Sequence, residues 1–130
     1  MARSLSKNRV LAAGALLIGL GFGATGLAHT PLQYVGSIVL WSLGEIALLP
    51  VAAAVITDLA PPSLRGSYQG AYQLAWGAAF MIAPSLTGLV ITRFGMSVLW
   101  AGCFVAGIAV SIGHFALNSA RKRRMQELAA

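Results

Sequence analysis

Charged residues are scarce in this 130-residue sequence, and it contains only three acidic side chains and one cysteine. A single cysteine excludes an internal disulfide framework, a CxxC pair and a cysteine-based metal cluster. Charged residues make up 9% of the chain and hydrophobic residues 58%, with a mean hydropathy of +0.79. This composition has too little polar surface to cover a soluble globule, so it indicates a membrane protein.

The positive charge of the chain is concentrated near its two ends. A formal net charge of +6 is also typical of proteins that bind nucleic acids. Here, however, no polar face with interleaved aromatic residues accompanies the basic residues. We therefore expect no nucleic-acid partner and expect the lipid bilayer to be the main environment.

Long apolar segments alternate with short breaks that contain turn or interface residues. Each segment reaches the roughly 20 residues that a helix needs to cross a bilayer, and none shows the period-two alternation of barrel strands. The sequence predicts an all-α membrane protein with a basic N-terminal segment (1–9), four transmembrane helices (10–28, 32–57, 68–92, 96–117) and a basic tail (118–130).

The lysines and arginines predict the orientation of these helices. Only Arg93 falls on one side of the predicted membrane, and eight basic residues fall on the other: Arg3, Lys7, Arg9, Arg65, Arg121, Lys122, Arg123 and Arg124. Because cytoplasmic loops carry an excess of Lys and Arg, we expect both termini in the cytoplasm. We interpret the "RKRR" run as a topology anchor near anionic lipid rather than a specific binding patch.

The first segment has features of two other sequence classes. Basic residues followed by an apolar run are typical of a signal peptide, but this run is longer than the usual 7 to 15 residues and another span follows it. The motif "GFGATG", 21–26, matches GxGxxG, but no strand precedes it. We expect a retained helix whose glycines allow close packing, including the GxxxG pair Gly19 and Gly23.

Polar and aromatic residues are concentrated in the second and third segments. They recur at helical spacing, as Tyr34, Ser37, Trp41 and Glu45 in the second and as Gln69, Gln73, Trp76 and Phe80 in the third, with Tyr72 adjacent. Such stripes form either contacts within a helix bundle or the wall of a cavity. Pro50 and Pro84 interrupt the same two segments and predict kinks.

The loop between the second and third segments combines helix breakers with opposite charges. Pro61 and Pro62 stop the helix, and Ser63 is a candidate N-cap for the next one. Asp58 lies at a helix C-terminus, where the dipole favours cations. We therefore expect Asp58 to pair with Arg65 in a structural loop motif that Gly66 completes.

The stretch from Gly44 to Gly95 combines features that resemble a known family. An acid follows a glycine in the second segment, an Asp, Pro and Arg-Gly loop comes next, and "GAYQLAWG" opens a third segment with a late proline. The stretch is similar to the tenth and eleventh spans of twelve-span major facilitator superfamily transporters, in the branch that contains drug:proton antiporters. Ala83 and "SLTG" depart from the glycines that the family often has around this proline.

The resemblance extends over essentially the whole chain, with 10–28 similar to the ninth span and 96–117 to the twelfth. It implies that the second and third segments face a central cavity, which the other two support from outside. It also implies eight earlier spans, so we expect a fragment or a short paralogue that needs the missing N-terminal half or another transporter chain. The implied function is proton-coupled efflux of small, lipophilic molecules across the plasma membrane, without a cofactor.

Glu45 is the only charged residue between Arg9 and Asp58. A charge at the bilayer centre costs about 2.5 to 3.5 kcal/mol, so such residues usually face the bundle interior and pair or take up a proton. From the resemblance we expect Glu45 to face the cavity with Trp41 and Tyr34, as a proton carrier or as the counter-charge for a lipophilic cation. The alternative is a protonated Glu45 that donates a structural hydrogen bond.

Two alternative functions stay open at this stage. Small multidrug exporters work as dimers of four-helix chains with an essential glutamate, but their acid lies in the first span and their two faces differ little in charge. The other alternative is a membrane chain that only packs against other helices. An enzyme is not expected, because His29 and His114 have no Ser, Cys or carboxylate partner at a suitable spacing.

Overall fold

The computed structural model describes residues 2–127 of the chain, and it contains the predicted helices. Helix α1 spans Ala2–Leu27, α2 Pro31–Leu59, α3 Arg65–Phe94, α4 Met96–Ala116 and α5 Asn118–Glu127, with a 3-10 turn at Pro62–Leu64. Helices α1 to α4 are each long and apolar enough to cross a membrane. The predicted four-span, all-α architecture is confirmed. Helix α1 also continues through most of the predicted basic segment 1–9, and α5 forms in the predicted tail.

The turn between α1 and α2 is fixed by a reciprocal cap. The Thr30 hydroxyl accepts a hydrogen bond from the Gln33 amide at 3.3 Å, while the Gln33 side-chain oxygen accepts from the Thr30 amide at 3.1 Å. Pro31 occupies the first helical position, where the missing N–H costs nothing. This arrangement satisfies donors that the start of α2 would otherwise leave unpaired.

The N-cap of α3 differs from the prediction. Ser63 was expected to cap α3, but it lies inside the 3-10 turn, and Leu64 takes the N-cap position without a side-chain hydrogen bond. Two consecutive prolines hold the backbone extended at Ala60 and Pro61. The chain then needs one tight turn before α3 can begin, and Ser63 falls within that turn.

Helix α1 is the central helix of the bundle. It packs along both α2 and α4, which do not contact each other within residues 2–127. Glycines make both crossings close: a Cβ atom at Gly44 would lie 2.7 Å from the Gly14 carbonyl oxygen, and one at Gly19 would lie 3.0 Å from the Gly107 Cα. The predicted close-packing role of the first helix is confirmed.

Helix α3 is joined to the bundle much more loosely than α1. It touches α2 and α4 along limited stretches, and none of its described residues is buried. Pro50 and Pro84 lie inside continuous helices, so the kinks expected at them stay predictions. At its far end α3 stops at Gly95, whose φ of +86° suits glycine and allows α4 to begin at the next residue.

Candidate functional site

The polar stripe of α2 divides between two surfaces. Ser37 is buried against α1, where its hydroxyl oxygen lies 2.9 Å from that of Thr25. Trp41 also faces α1, because a Cβ atom at Gly21 would lie 2.7 Å from the Trp41 amide nitrogen and the Trp41 ring contacts Phe22 at 5.6 Å between centroids. Tyr34 is 45% exposed near the start of the helix. Trp41 thus forms part of the α1–α2 contact.

Glu45 lies one turn after Trp41 and about 40° around α2 from it, at the edge of the face that contacts α1. Its neighbour Gly44 and the next-turn residue Leu48 both contact α1 at Gly14, and Glu45 is rotated around the helix by about 100° from Gly44 and about 60° from Leu48. Ala52 and Ile56 follow Glu45 at i+7 and i+11, so they share its face of the helix. Glu45 is half-buried near the middle of the span.

A groove of about 480 Å³ runs between α2 and α3 on this side of the bundle. Its wall is mainly apolar, with Leu48, Ala52 and Ile56 from α2 facing Tyr72, Ala75 and Trp76 from α3. Glu45 stands one turn before Leu48 and two turns before Ala52, but it does not itself line the groove. The structure therefore places the apolar wall of α2 that follows Glu45 next to an aromatic face of α3.

Helix α3 carries a row of neighbouring aromatic rings, two of which line the groove, and one amide that is anchored to α2. Tyr72 meets Trp76 edge-on at 6.3 Å, and Trp76 contacts Phe80 at 5.7 Å. The Gln69 amide nitrogen donates to the Ala53 carbonyl at 3.0 Å and to the Thr57 hydroxyl at 2.6 Å. Gln69 therefore ties α3 to α2. Gln73, in contrast, is exposed.

A cluster of polar side chains closes one end of the groove, at the end of the bundle where α1 begins and α4 finishes. Arg121 donates to the Asn8 side-chain oxygen at 2.9 Å and contacts His114 Nδ1 at 3.1 Å. Asn8 is 5% exposed and also donates to Asn118. We call Asn8, His114, Asn118 and Arg121 the polar cluster. It joins α1, α4 and α5.

The sequence interpretation missed this cluster. His114 was expected to have no catalytic partner, and Arg121 was interpreted as part of an anchoring run. A usable signal was present, because His114, Asn118 and Arg121 follow one another at i, i+4 and i+7 and so share one helical face. The contribution of Asn8 could not be predicted, since it comes from a residue more than 100 positions away.

The hydrogen bonds of the cluster define its chemistry. A guanidinium group has no acceptor, so Arg121 must donate and His114 Nδ1 must accept. The neutral His114 ring then carries its proton on Nε2. Partial burial lowers the pKa of Arg121 from its ordinary value, but an arginine in a protein keeps its charge at neutral pH. The cluster therefore presents a cation and a second N–H donor at the groove end.

The predicted ion pair between Asp58 and Arg65 in the α2–α3 loop was wrong. Asp58 pairs with Lys7 at 2.6 Å rather than with Arg65, which is exposed at the start of α3. The reason is that α1 extends through the basic segment and brings Lys7 to the end of α2. Glu127 pairs with Arg124. Glu45 is thus the one acid without an ion pair in the described part of the chain.

Comparison with known proteins decides the family. The Major Facilitator Superfamily model matches residues 1–127. The chain belongs to the major facilitator superfamily. The resemblance noted from the sequence is thereby confirmed, and the family is one of membrane transporters rather than enzymes. No solved structure matches the chain.

Several curated members of the superfamily are similar to this chain over most of its length. Multidrug resistance protein 3 of Bacillus subtilis (strain 168) is 32% identical over 104 residues, which are 80% of this chain and 20% of that protein. Efflux pump FUS6 of Gibberella fujikuroi is 28% identical over 102 residues, which are 74% and 18% of the two chains. The MFS-type efflux pump LUC4 of a Fusarium species is 27% identical over 95 residues. The chain spans about a fifth of the length of the curated relatives it matches.

Proposed function

We propose that this chain forms part of a proton-coupled efflux transporter for small, lipophilic molecules, working with further transporter spans supplied by another segment or chain. The names of the similar proteins, a multidrug resistance protein and two efflux pumps, support an export role. The proposed location is the plasma membrane. Both termini would then lie in the cytoplasm, on the side of Lys7, Arg65 and Arg121.

The position of Glu45 carries the proton-coupling part of this proposal. The residue lies near the middle of a transmembrane helix and has no ion pair in the described chain. Because acids within transmembrane segments mark proton and ion pathways, an unpaired acid at this depth is a candidate proton carrier. Its helix face continues into the groove lined by Tyr72 and Trp76, whose aromatic rings can attract a lipophilic cation.

The other candidate residues have supporting roles in this proposal. Trp76 lines the α3 side of the groove, Gln69 ties α3 to α2, and the side chains of Gln73 and Tyr34 are exposed. Trp41 supports Glu45 indirectly, because it holds α2 against α1 one turn away. Alternating access in this superfamily needs two halves that rock around a site between them, so the remaining spans are an essential part of the proposal.

A chimeric transporter tests the role of Glu45. This chain replaces the matching segment of the Bacillus subtilis relative, and ethidium efflux driven by a pH gradient is measured in membrane vesicles. Glu45→Gln should reduce gradient-driven efflux at least about tenfold, a change of 1.4 kcal/mol. Ethidium exchange without a gradient should persist, because the site and the fold remain. Glu45→Asp keeps the carboxyl group and serves as the matched control. Unchanged pH-driven efflux by Glu45→Gln would exclude the carrier role.

A further inference from the structure

We infer that the groove between α2 and α3 binds one anionic phospholipid of the surrounding membrane, with the lipid phosphate on Arg121 and His114 and an acyl chain along the apolar wall. This inference does not depend on the efflux proposal. It rests on the polar cluster, on the apolar character of the groove that the cluster closes, and on the charge balance of the described residues.

The end of the groove offers hydrogen-bond donors without an internal anion. Arg121 contacts Asn8 and His114 through one N–H group on each terminal nitrogen, which leaves three of its five N–H groups for other partners. His114 adds one further donor to the site, its Nε2–H group, because its Nδ1 accepts from Arg121. No carboxylate among the described residues pairs with Arg121, because Asp58 and Glu127 pair with Lys7 and Arg124.

The chemistry of the cluster suits a phosphate group better than other membrane components. Arginine binds phosphate through paired N–H groups, and such charge-assisted bonds are about twice as strong as neutral ones. Basic pockets between transmembrane helices on the cytoplasmic side are typical sites for anionic headgroups. Arg123 and Arg124 follow on the same short helix and increase the concentration of anionic lipid nearby.

The rest of the groove suits an acyl chain. Its volume of about 480 Å³ lies within the range of roughly 300 to 1,000 Å³ found for small-molecule sites. Its walls are mainly apolar, and its one cationic residue, Arg121, lies with His114 at the end where α4 finishes. A phospholipid has the same division, with one charged group at the membrane interface and hydrocarbon below it.

Quenching of Trp76 fluorescence by brominated lipids tests this inference. Trp76 lines the groove and is 37% exposed. The variant Trp41→Phe/Trp100→Phe makes Trp76 the only tryptophan, and the full chain is reconstituted in nanodiscs with phosphatidylglycerol or phosphatidylcholine brominated on the acyl chain. At equal mole fraction, we expect brominated phosphatidylglycerol to quench Trp76 at least about threefold more strongly than brominated phosphatidylcholine does. If the double variant does not fold, the difference between the wild type and Trp76→Phe gives the same measurement.

Two substitutions in α5 separate a specific site from general attraction to anionic lipid. Arg121→Gln should bring the ratio of the two quenching constants close to one, whereas Arg123→Gln removes an equal charge from an exposed position and should leave the ratio unchanged. Arg121→Lys keeps the charge and should retain part of the preference. Circular dichroism checks that each variant is helical.

Ala75→Phe fills the groove without altering charge and should also abolish the preference for phosphatidylglycerol.

Three outcomes would overturn the inference. The first is equal quenching by the two lipids in the parent variant. The second is an equal loss of preference in Arg121→Gln and Arg123→Gln, which would show diffuse electrostatic attraction. The third is displacement of phosphatidylglycerol by an equimolar brominated fatty acid, which would identify a free carboxylate amphiphile as the occupant.

Discussion

Gly107 of α4 lies so close to Gly19 of α1 that a Cβ atom added at Gly107 would stand 2.5 Å from the Gly19 Cα. No real side chain tolerates that distance, so the two backbones are in direct contact. Close approach of this kind maximises van der Waals packing where lipid supplies no hydrophobic driving force between helices. The pair therefore sets the separation of α1 and α4.

Replacing Gly107 should separate these helices. Gly107→Ala is expected to lower the free energy of unfolding by about 1 to 3 kcal/mol, the usual cost of forcing extra atoms into a packed interface. Gly102→Ala is the matched control, because nothing lies within 4 Å of a Cβ atom at that position. Helicity followed by circular dichroism during titration with sodium dodecyl sulfate measures both. Equal stability of the two variants would contradict the close contact.

The ion pair between Lys7 and Asp58 should stabilise the contact of α1 with the end of α2. Both side chains are partly exposed, so Lys7→Gln is expected to cost only about 0.2 to 1 kcal/mol and the loss should shrink at high salt. Arg65→Gln removes the charge that the sequence suggested as the partner and should have no effect. The same detergent titration at low and high salt distinguishes them. A larger loss of stability in Arg65→Gln than in Lys7→Gln would indicate that Asp58 pairs with Arg65 instead.

Gln69 should be the main polar attachment of α3. Gln69→Leu loses two hydrogen bonds to α2, at Ala53 and Thr57, with an expected cost of about 0.5 to 2 kcal/mol. The exposed Gln73→Leu serves as the control. Hydrogen exchange of the α3 amides in nanodiscs measures the change, because a loosened helix exchanges faster. Equal exchange in the two variants would show that other contacts hold α3.

The chain alone should not transport. Proteoliposomes that contain only this polypeptide are expected to show no efflux above protein-free liposomes under a pH gradient, because the two rocking halves that alternating access requires are not both present. The ethidium-transporting chimera provides the positive control. Gradient-driven efflux by the chain alone would instead support a dimeric four-helix exporter.

The orientation proposed for the helices can be measured by labelling. With Cys103 replaced by alanine, His29→Cys should react with a membrane-impermeant maleimide added to intact cells, whereas Ser63→Cys should react only after permeabilisation. Both positions are exposed in the structure, so accessibility within the protein is matched. The reverse pattern would place the termini outside.

Part of the candidate site could be predicted from residues close in sequence. Glu45 stands out because charge is rare in an apolar span, and Gln69 and Trp76 share a face through helical spacing alone. The partner of Asp58 could not be predicted, because it depends on how far α1 extends before meeting α2. The surface that Trp41 faces could not be predicted either, because a stripe of aromatic residues is typical both of a helix contact and of a cavity wall.

The membrane environment, the four spans and the resemblance to the family could all be predicted from the sequence. These follow from composition, from the length of apolar segments and from local motifs, none of which needs a contact between distant residues. The packing of the helices was needed to show that α1 is the central helix, that Trp41 faces it, and that Asn8 meets Arg121 at the end of a groove. Those relationships depend on how helices cross, and the crossings are set where glycines on two different helices allow their backbones to touch.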